Sequence, residues 1–343
     1  MKIAVVASPV TPLLPAQLGG AQALLSDLAV SLARRGHDVT LHCSDGSSVP
    51  GVRLATVPVP PDARAALVMP GGSEPPPMPG VVAALREIFA RIAADRVDVV
   101  SQHAFDAPAF ELGARLPVLH TLHLPPIVGS VVRAARELPA RRLATVSRAS
   151  QAAWAKAGVE VGEVLPNGVA DIEVDVTAPI DRVALVAGRI SREKGIEDAL
   201  AAAQLAGLPV RVAGAHYDPS YAVDLGPAER LGLLTRDELR HVMARSVVTI
   251  CSPRWEEPFG LVAAEAQMAG CPVAAYRRGG LPETVEDLLG GFLAEPGSVE
   301  DLARAVRRCM ELDRASVRAS ALRRLGLDDA VDRYEQALIR TAR

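Results

Sequence analysis

Short runs of Val, Ala and Leu alternate with longer stretches in which apolar residues recur every three or four positions, and the alternation continues over almost the whole chain. Lys2–Ala7 has the form of a buried strand. Gln22–Arg35 follows with Leu24, Leu25, Leu28 and Leu32 on one helical face, and Gly36-His37-Asp38 closes it before a strand at Val39–Cys43. Further strands are predicted at Val97–Val100, Val118–Leu122 and Leu143–Val146, with helices at Val81–Arg96 and Arg148–Ala157. A second series opens with a strand at Val183–Ala187 and continues through Val210–Ala213, Val247–Cys251, Val273–Ala275 and Gly291–Leu293. Its helices are Glu197–Leu205, Arg236–Ala244, Gly260–Ala269 and Val299–Met310. Continuous apolar strands separated by helices mark parallel sheets covered on both faces, because a strand buried on two sides has no polar face to alternate with. Two such series predict an α/β protein of two doubly wound, Rossmann-like domains. The pattern lapses over Pro166–Pro179, where Asp171, Glu173 and Asp175 make an acidic, turn-rich stretch. The expected division is therefore 1–165 and 166–325, followed by a last segment, 326–343, holding a helix at Asp329–Arg343. A Pro/Gly-rich region from Pro58 to Gly80 interrupts the first domain and reads as a mobile loop or a recognition element.

Composition narrows the class. At 343 residues with 49% hydrophobic and only 3% aromatic residues, the chain has material for two Ala/Val/Leu-rich cores, which suits layered α/β packing. A net charge of −3 argues against nucleic acid as a main partner, since phosphate backbones demand a strongly basic surface. No stretch is long and apolar enough to serve as an integral membrane segment. Met1–Ala7 runs straight into Ser8-Pro9 without a cleavage site, so it reads as a strand and not a leader. Cys43, Cys251, Cys271 and Cys309 are scattered with no Cys-x-x-Cys pair, which points to reduced thiols in a cytoplasmic protein.

The densest chemistry lies in CSPRWEEPFGLVAAEAQMAG, from Cys251 to Gly270. A strand ends, a loop carries Glu256-Glu257-Pro258, and Phe259-Gly260-Leu261 lead into a helix. Ligands of doubly wound sheets gather beyond the carboxyl ends of strands, where helix N-termini offer free N–H groups to phosphate. Glu265 sits in that helix among Ala263, Ala264, Ala266 and Met268, a setting that is costly for a carboxylate unless a hydroxyl or a cation pairs with it.

This segment resembles the Glu-x7-Glu signature of the retaining GT-B glycosyltransferases, the family of sucrose synthase, glycogen synthase relatives and phosphatidylinositol mannosyltransferases. The stretch from Val186 to Gly195 is similar to the family's Gly-Arg-x4-Lys-Gly, Pro166-Asn167-Gly168-Val169 to its interdomain turn, and Gly279-Gly280-Leu281-Pro282-Glu283 to its later Gly-Gly-x-Pro-Glu. The resemblance implies two domains facing across a cleft, with the acceptor on the N-terminal side and the sugar nucleotide on the C-terminal side. It implies that Glu257 binds the sugar hydroxyls, that Phe259, Gly260 and Leu261 lie against sugar and diphosphate, and that Glu265 holds the ribose. Arg189 and Lys194 would neutralise the diphosphate, and Gly19 and Gly20 would face it from the first domain. His123 matches the histidine that touches the transferred sugar; His120 competes for that part, and His103 falls near another cleft position. His120-x-x-His123 lacks a third ligand at any familiar zinc spacing. No metal and no cofactor are expected, because fixed cations take the place of a divalent ion. The partners are a sugar nucleotide, UDP-linked first by family frequency, and a hydroxyl acceptor. A soluble small molecule, an oligosaccharide or a natural product such as an antibiotic fits that acceptor, because the basic set Arg133, Arg136, Arg141 and Arg142 is interrupted by Pro139. The alternatives are a sugar-nucleotide 2-epimerase, which would lack the Glu-Pro-Phe-Gly loop, and an inactive sugar-nucleotide-binding subunit. Arg254-Trp255 departs from the family pattern.

Overall fold

The structure, a computed structural model, describes residues 1–14, 20–67, 78–175, 178–216 and 221–343. Gly19 and residues 68–77 of the Pro/Gly-rich region therefore lie outside the described residues. Strands β1 (Lys2–Val6), β2 (Asp38–Ser44), β3 (Arg53–Val57), β4 (Val99–Gln102), β5 (Val118–Leu122), β6 (Leu143–Thr145) and β7 (Glu163–Val164) build one sheet, in the order β3-β2-β1-β4-β5-β6-β7. Every neighbouring pair is parallel. Ile3, Ala4, Val5 and Val6 are wholly buried at its centre, which is why that segment reads as an unbroken apolar run. The edge strands β3 and β7 escape the pattern. β3 is half-exposed along most of its length and β7 is two residues long, so neither carries an apolar signal of its own.

The second sheet contains β8 (Asp181–Ala187), β9 (Val210–Ala213), β10 (Glu229–Gly232), β11 (Ser246–Cys251), β12 (Val273–Tyr276) and β13 (Gly291–Ala294). Its order is β10-β9-β8-β11-β12-β13, again all parallel. Two apolar layers cover it. One packs the Ile196–Leu205 and Val299–Cys309 helices over Val248, Ile250 and Ala274, and the other packs Ala263, Ala266 and Ala269 over Val273 and Ala275.

The chain forms two compact units, one of Met1–Leu14, Ala21–Pro166 and Asp328–Arg343, the other containing Asn167–Leu327. The last helix, Leu327–Ala342, is fastened to the first unit by Arg35, which binds Asp332 and Glu335, and by His37, whose Nε2 lies 2.7 Å from Glu335. Within the Pro/Gly-rich region, Asp62 accepts the Gly80 and Val81 amides at 2.8 and 3.1 Å and so satisfies the open end of the Pro79–Asp95 helix. Every cysteine is unpaired, and no described helix is long and apolar enough to cross a membrane.

Candidate active site

In an open parallel sheet the site forms beyond the strand ends where the order reverses. For the second unit that point lies between β8 and β11. Gly188-Arg189 follow β8 directly, and the loop carrying Glu257 follows β11, so topology alone gathers two of the predicted segments. Gly195 joins them. Its φ of +61° is the left-handed value glycine tolerates, and a Cβ there would stand 2.1 Å from the Ser252 carbonyl oxygen. Ser252 Oγ donates to the Gly195 carbonyl at 2.8 Å, and the Arg254 amide donates to the Glu193 carbonyl at 2.9 Å. The tight Arg192–Lys194 turn is thereby locked against the loop after β11.

That lock aims Lys194. Its ammonium donates to Glu257 Oε2 at 2.8 Å, and the Trp255 indole N–H donates to the same oxygen at 2.8 Å. Lys194 also lies over the Trp255 ring, 5.4 Å from its centre. Burial alone pushes the Glu257 carboxyl up, but Lys194, the indole and the more distant Arg189 outweigh it, so the group titrates below the usual carboxylate range. Glu257 is therefore a fixed carboxylate whose Oε1 takes no hydrogen bond from the described residues.

Arg189 is held by Glu193, 3.3 Å away, and Glu193 is steadied by the Ser191 hydroxyl at 2.6 Å. Glu265 is 6% exposed, in the Leu261–Met268 helix, and its Oε1 lies 3.5 Å from Arg236. The cation its apolar surroundings demand is thus Arg236, first residue of the next unit-2 helix upstream, Arg236–Arg245, whose start is set by the Thr235–Glu238 capping box. Gly260 precedes the Leu261–Met268 helix with φ +91°, leaving the first-turn amides of Leu261 and its neighbours without helical acceptors. Phe259 is buried and its carbonyl accepts from Thr284 Oγ1 at 2.6 Å. Gly279 and Gly280 clamp this loop from behind: their amides bind Glu256 Oε2 at 3.0 Å and the Glu257 carbonyl at 2.6 Å. A Cβ on Gly279 would come within 2.2 Å of that same carbonyl oxygen.

In the first unit the order reverses between β1 and β4. Gly20 opens the Gly20–Arg34 helix after β1, His103 follows β4, and His123 follows β5. His103 Nδ1 and His123 Nε2 are 2.8 Å apart, and His103 Nε2 is 2.8 Å from Ser101 Oγ. Burial drives the His123 pKa down to about 4 and that of His103 well below its ordinary value, so both rings are neutral at pH 7. Tyr334, from the last helix, backs His103 with ring centres 6.0 Å apart. His120 lies apart from His103 and His123. It stacks on Phe110 at 4.9 Å, is 0% exposed, and titrates near 3 because it is buried in the core. Strand periodicity explains this, since 120 and 122 share the face packed on Phe110 while 121 and 123 point the other way.

Two family models match the chain almost end to end: Glycosyltransferase Family 4 over residues 18–171 and Glycosyl transferases group 1 over residues 176–322. The chain belongs to the group 1 glycosyltransferases. Among curated relatives, this glycosyltransferase is 39% identical to the 2-deoxystreptamine glucosyltransferase of Streptomyces kanamyceticus over 36% of its own length and 35% of that protein. It is 28% identical to the D-inositol 3-phosphate glycosyltransferase of Mycolicibacterium smegmatis over 88% of this chain and 81% of that one. The chain thus spans about a third of the first relative and most of the second. Among solved structures, Anabaena Alr3699/HepE in complex with UDP and glucose superposes with a TM-score of 0.76 at 20% identity, covering 99% of this chain and 100% of that one, which establishes the GT-B fold.

Sequence reading missed several residues that shape the glycosyltransferase's site. Trp255 stood out only as a departure, and Arg236 and Ser101 carry no motif. Asp106 is another: it follows β4 by four residues, is bonded to Ser8, and burial raises its pKa to about 6. Ser101 is marked by its burial and Asp106 by its raised pKa, whereas Trp255 and Arg236 are marked only by the carboxylates they meet, Glu257 and Glu265; no local pattern reveals any of these.

Proposed function

We propose that this protein is a retaining glycosyltransferase that moves a sugar from a nucleoside-diphosphate sugar, UDP-linked, to a hydroxyl of a small-molecule or oligosaccharide acceptor. The observation that carries the reading is Glu257, an ionised carboxylate with one oxygen saturated by Lys194 and Trp255 and the other open to a ligand. In this reading Oε1 accepts from the hydroxyls of the transferred sugar. Lys194 and Arg189 neutralise the charge that grows on the diphosphate as the glycosidic bond breaks, assisted by the amides before the Leu261–Met268 helix. Glu265 exchanges part of its contact with Arg236 for the ribose hydroxyls. His123 serves from the first unit, which also takes the acceptor, and the Gly19 and Gly20 amides meet the diphosphate. The acceptor oxygen attacks from the face the diphosphate leaves, and Glu257 positions the sugar without bonding to it. Two fixed cations supply the charge of a divalent ion, so no metal is required.

Support for the nucleotide comes from the Anabaena structure, which holds UDP and glucose, and for a small acceptor from the Streptomyces relative, a 2-deoxystreptamine glucosyltransferase. A natural-product or antibiotic aglycone follows from that relative. Arg136 and Arg142 donate to the Ala157 and Ala114 carbonyls, which engages part of each guanidinium within the fold and weakens the case for a surface for anionic lipid. The unpaired cysteines suit a cytoplasmic setting. A panel of sugar nucleotides, with release of nucleoside diphosphate as readout and the anomeric configuration of the product read by NMR, tests the proposal. Retention with a UDP-sugar is expected. An inverted product, or no turnover with any sugar nucleotide and acceptor, overturns it.

A further inference from the structure

Ser101 lies on β4 and is 0% exposed, and its hydroxyl has one partner among the described residues, His103 Nε2 at 2.8 Å. A hydroxyl carries one hydrogen and two lone pairs. If it accepted from His103, its own hydrogen would be stranded in the core, where an unmade donor costs the full desolvation of the group; an unused lone pair costs far less. The O–H therefore donates, and His103 Nε2 accepts. The proton of neutral His103 is then on Nδ1, which faces His123 Nε2 at 2.8 Å and donates to it. The same logic carries one ring further: neutral His123 keeps its proton on Nδ1. That nitrogen makes no hydrogen bond to the described residues, and His123 is the most exposed of the three residues at 8%.

We infer that Ser101 sets the polarity of a three-residue hydrogen-bond chain that presents His123 to the ligand as an Nδ1–H donor, which makes Ser101 and His103 positioning residues for sugar recognition. The inference rests on the proposed reading of His123 as a sugar contact. It adds the chemistry of that contact: His123 donates, so the atom it meets on the transferred sugar is an acceptor, a hydroxyl or carboxylate oxygen, and the sugar's own O–H is directed elsewhere. The opposite polarity would make His123 an acceptor and select for a sugar O–H aimed at it. One buried hydroxyl two positions before His103, on the same side of the strand, decides between them.

Nitrogen-15 NMR of the histidine-labelled full chain near pH 7 reads the tautomers directly. The expected wild-type spectrum has His123 Nδ1 protonated and Nε2 bare. In Ser101→Ala the driving hydroxyl is gone and the Nδ1–H population of His123 falls, while Ser101→Thr, which keeps the hydroxyl, restores it. Transfer by Ser101→Ala should slow by roughly tenfold, the worth of one misdirected hydrogen bond, with affinity for free UDP unchanged. A wild-type His123 protonated on Nε2, or a tautomer indifferent to Ser101→Ala, overturns the inference. A tautomer that shifts in Ser101→Ala with no change in transfer leaves the polarity assignment standing and sinks the reading of His123 as a sugar contact.

Discussion

Lys194→Met removes the cation facing Glu257, and with it the cation–π contact to Trp255, while keeping an unbranched side chain of similar length. The carboxylate then retains the indole bond but is left buried and otherwise uncompensated. Breaking a fully buried ion pair by deleting one partner costs about 3–5 kcal/mol, and a charge-assisted hydrogen bond is worth about 1.5–3 kcal/mol. With the Lys194 and Glu257 side chains 24% and 13% exposed, solvent screens part of that field, and a loss of roughly 2–3 kcal/mol at neutral pH is expected. The pH dependence identifies the cause. In the wild type Glu257 titrates below its ordinary value of 4.5, so its favourable contribution is present above that pH and is lost only as pH falls through the lower folded value. In the variant burial dominates and the folded pKa rises above the unfolded one. The sign is then reversed: the penalty is full above the raised pKa and disappears as pH falls toward the unfolded value. The stability gap between the two proteins should therefore be widest at about pH 7.5 and should narrow toward about pH 5. Urea unfolding followed by circular dichroism at several pH values measures it. A gap that stays constant over that range, or one below about 0.5 kcal/mol, refutes the reasoning.

Glu265→Ala should weaken UDP binding by roughly 1.5–3 kcal/mol, while Glu257→Gln spares it and impairs the sugar nucleotide; equal losses of UDP in calorimetry would defeat this division of roles. Gly195→Ala places a Cβ 2.1 Å from the Ser252 carbonyl oxygen at a left-handed backbone, so unfolding should occur at least about 1–3 kcal/mol more easily and Lys194 should lose its register. A Gly195→Ala protein as stable and active as the wild type would show that the lock does not exist. Transfer should persist in excess EDTA, whereas Arg189→Ala should cost at least about 2 kcal/mol in kcat/KM; activity abolished by chelation and restored by Mg²⁺ would transfer the diphosphate's neutralisation from Arg189 and Lys194 to a metal.

Central strands are legible in the chain because burial on both faces forces an unbroken apolar run: β1, β5, β8 and β11 announce themselves in Ile3–Val6, Val118–Leu122, Val183–Ala187 and Val247–Cys251. The acidic and basic members of the candidate site are legible too, because Glu257, Glu265, Arg189 and Lys194 stand at spacings within single local segments. Edge strands such as β3, β7 and β10 are not, since neighbours supply their pairing while their side chains remain polar or half-exposed. Nor is the partnership of Lys194 with Glu257, 63 residues apart, or of Glu265 with Arg236, which exist because two loops emerge beside each other where the strand order reverses. His120 and His123 are equivalent candidates along the chain. They are separated in the fold by which face of β5 meets Phe110, and His123 acquires its hydrogen-bond polarity from Ser101, twenty-two positions earlier. Local sequence determines what a segment can bury or cap; which charges and hydrogens face one another is a property of the packed structure, because desolvation and pairing are decided by neighbours distant along the chain.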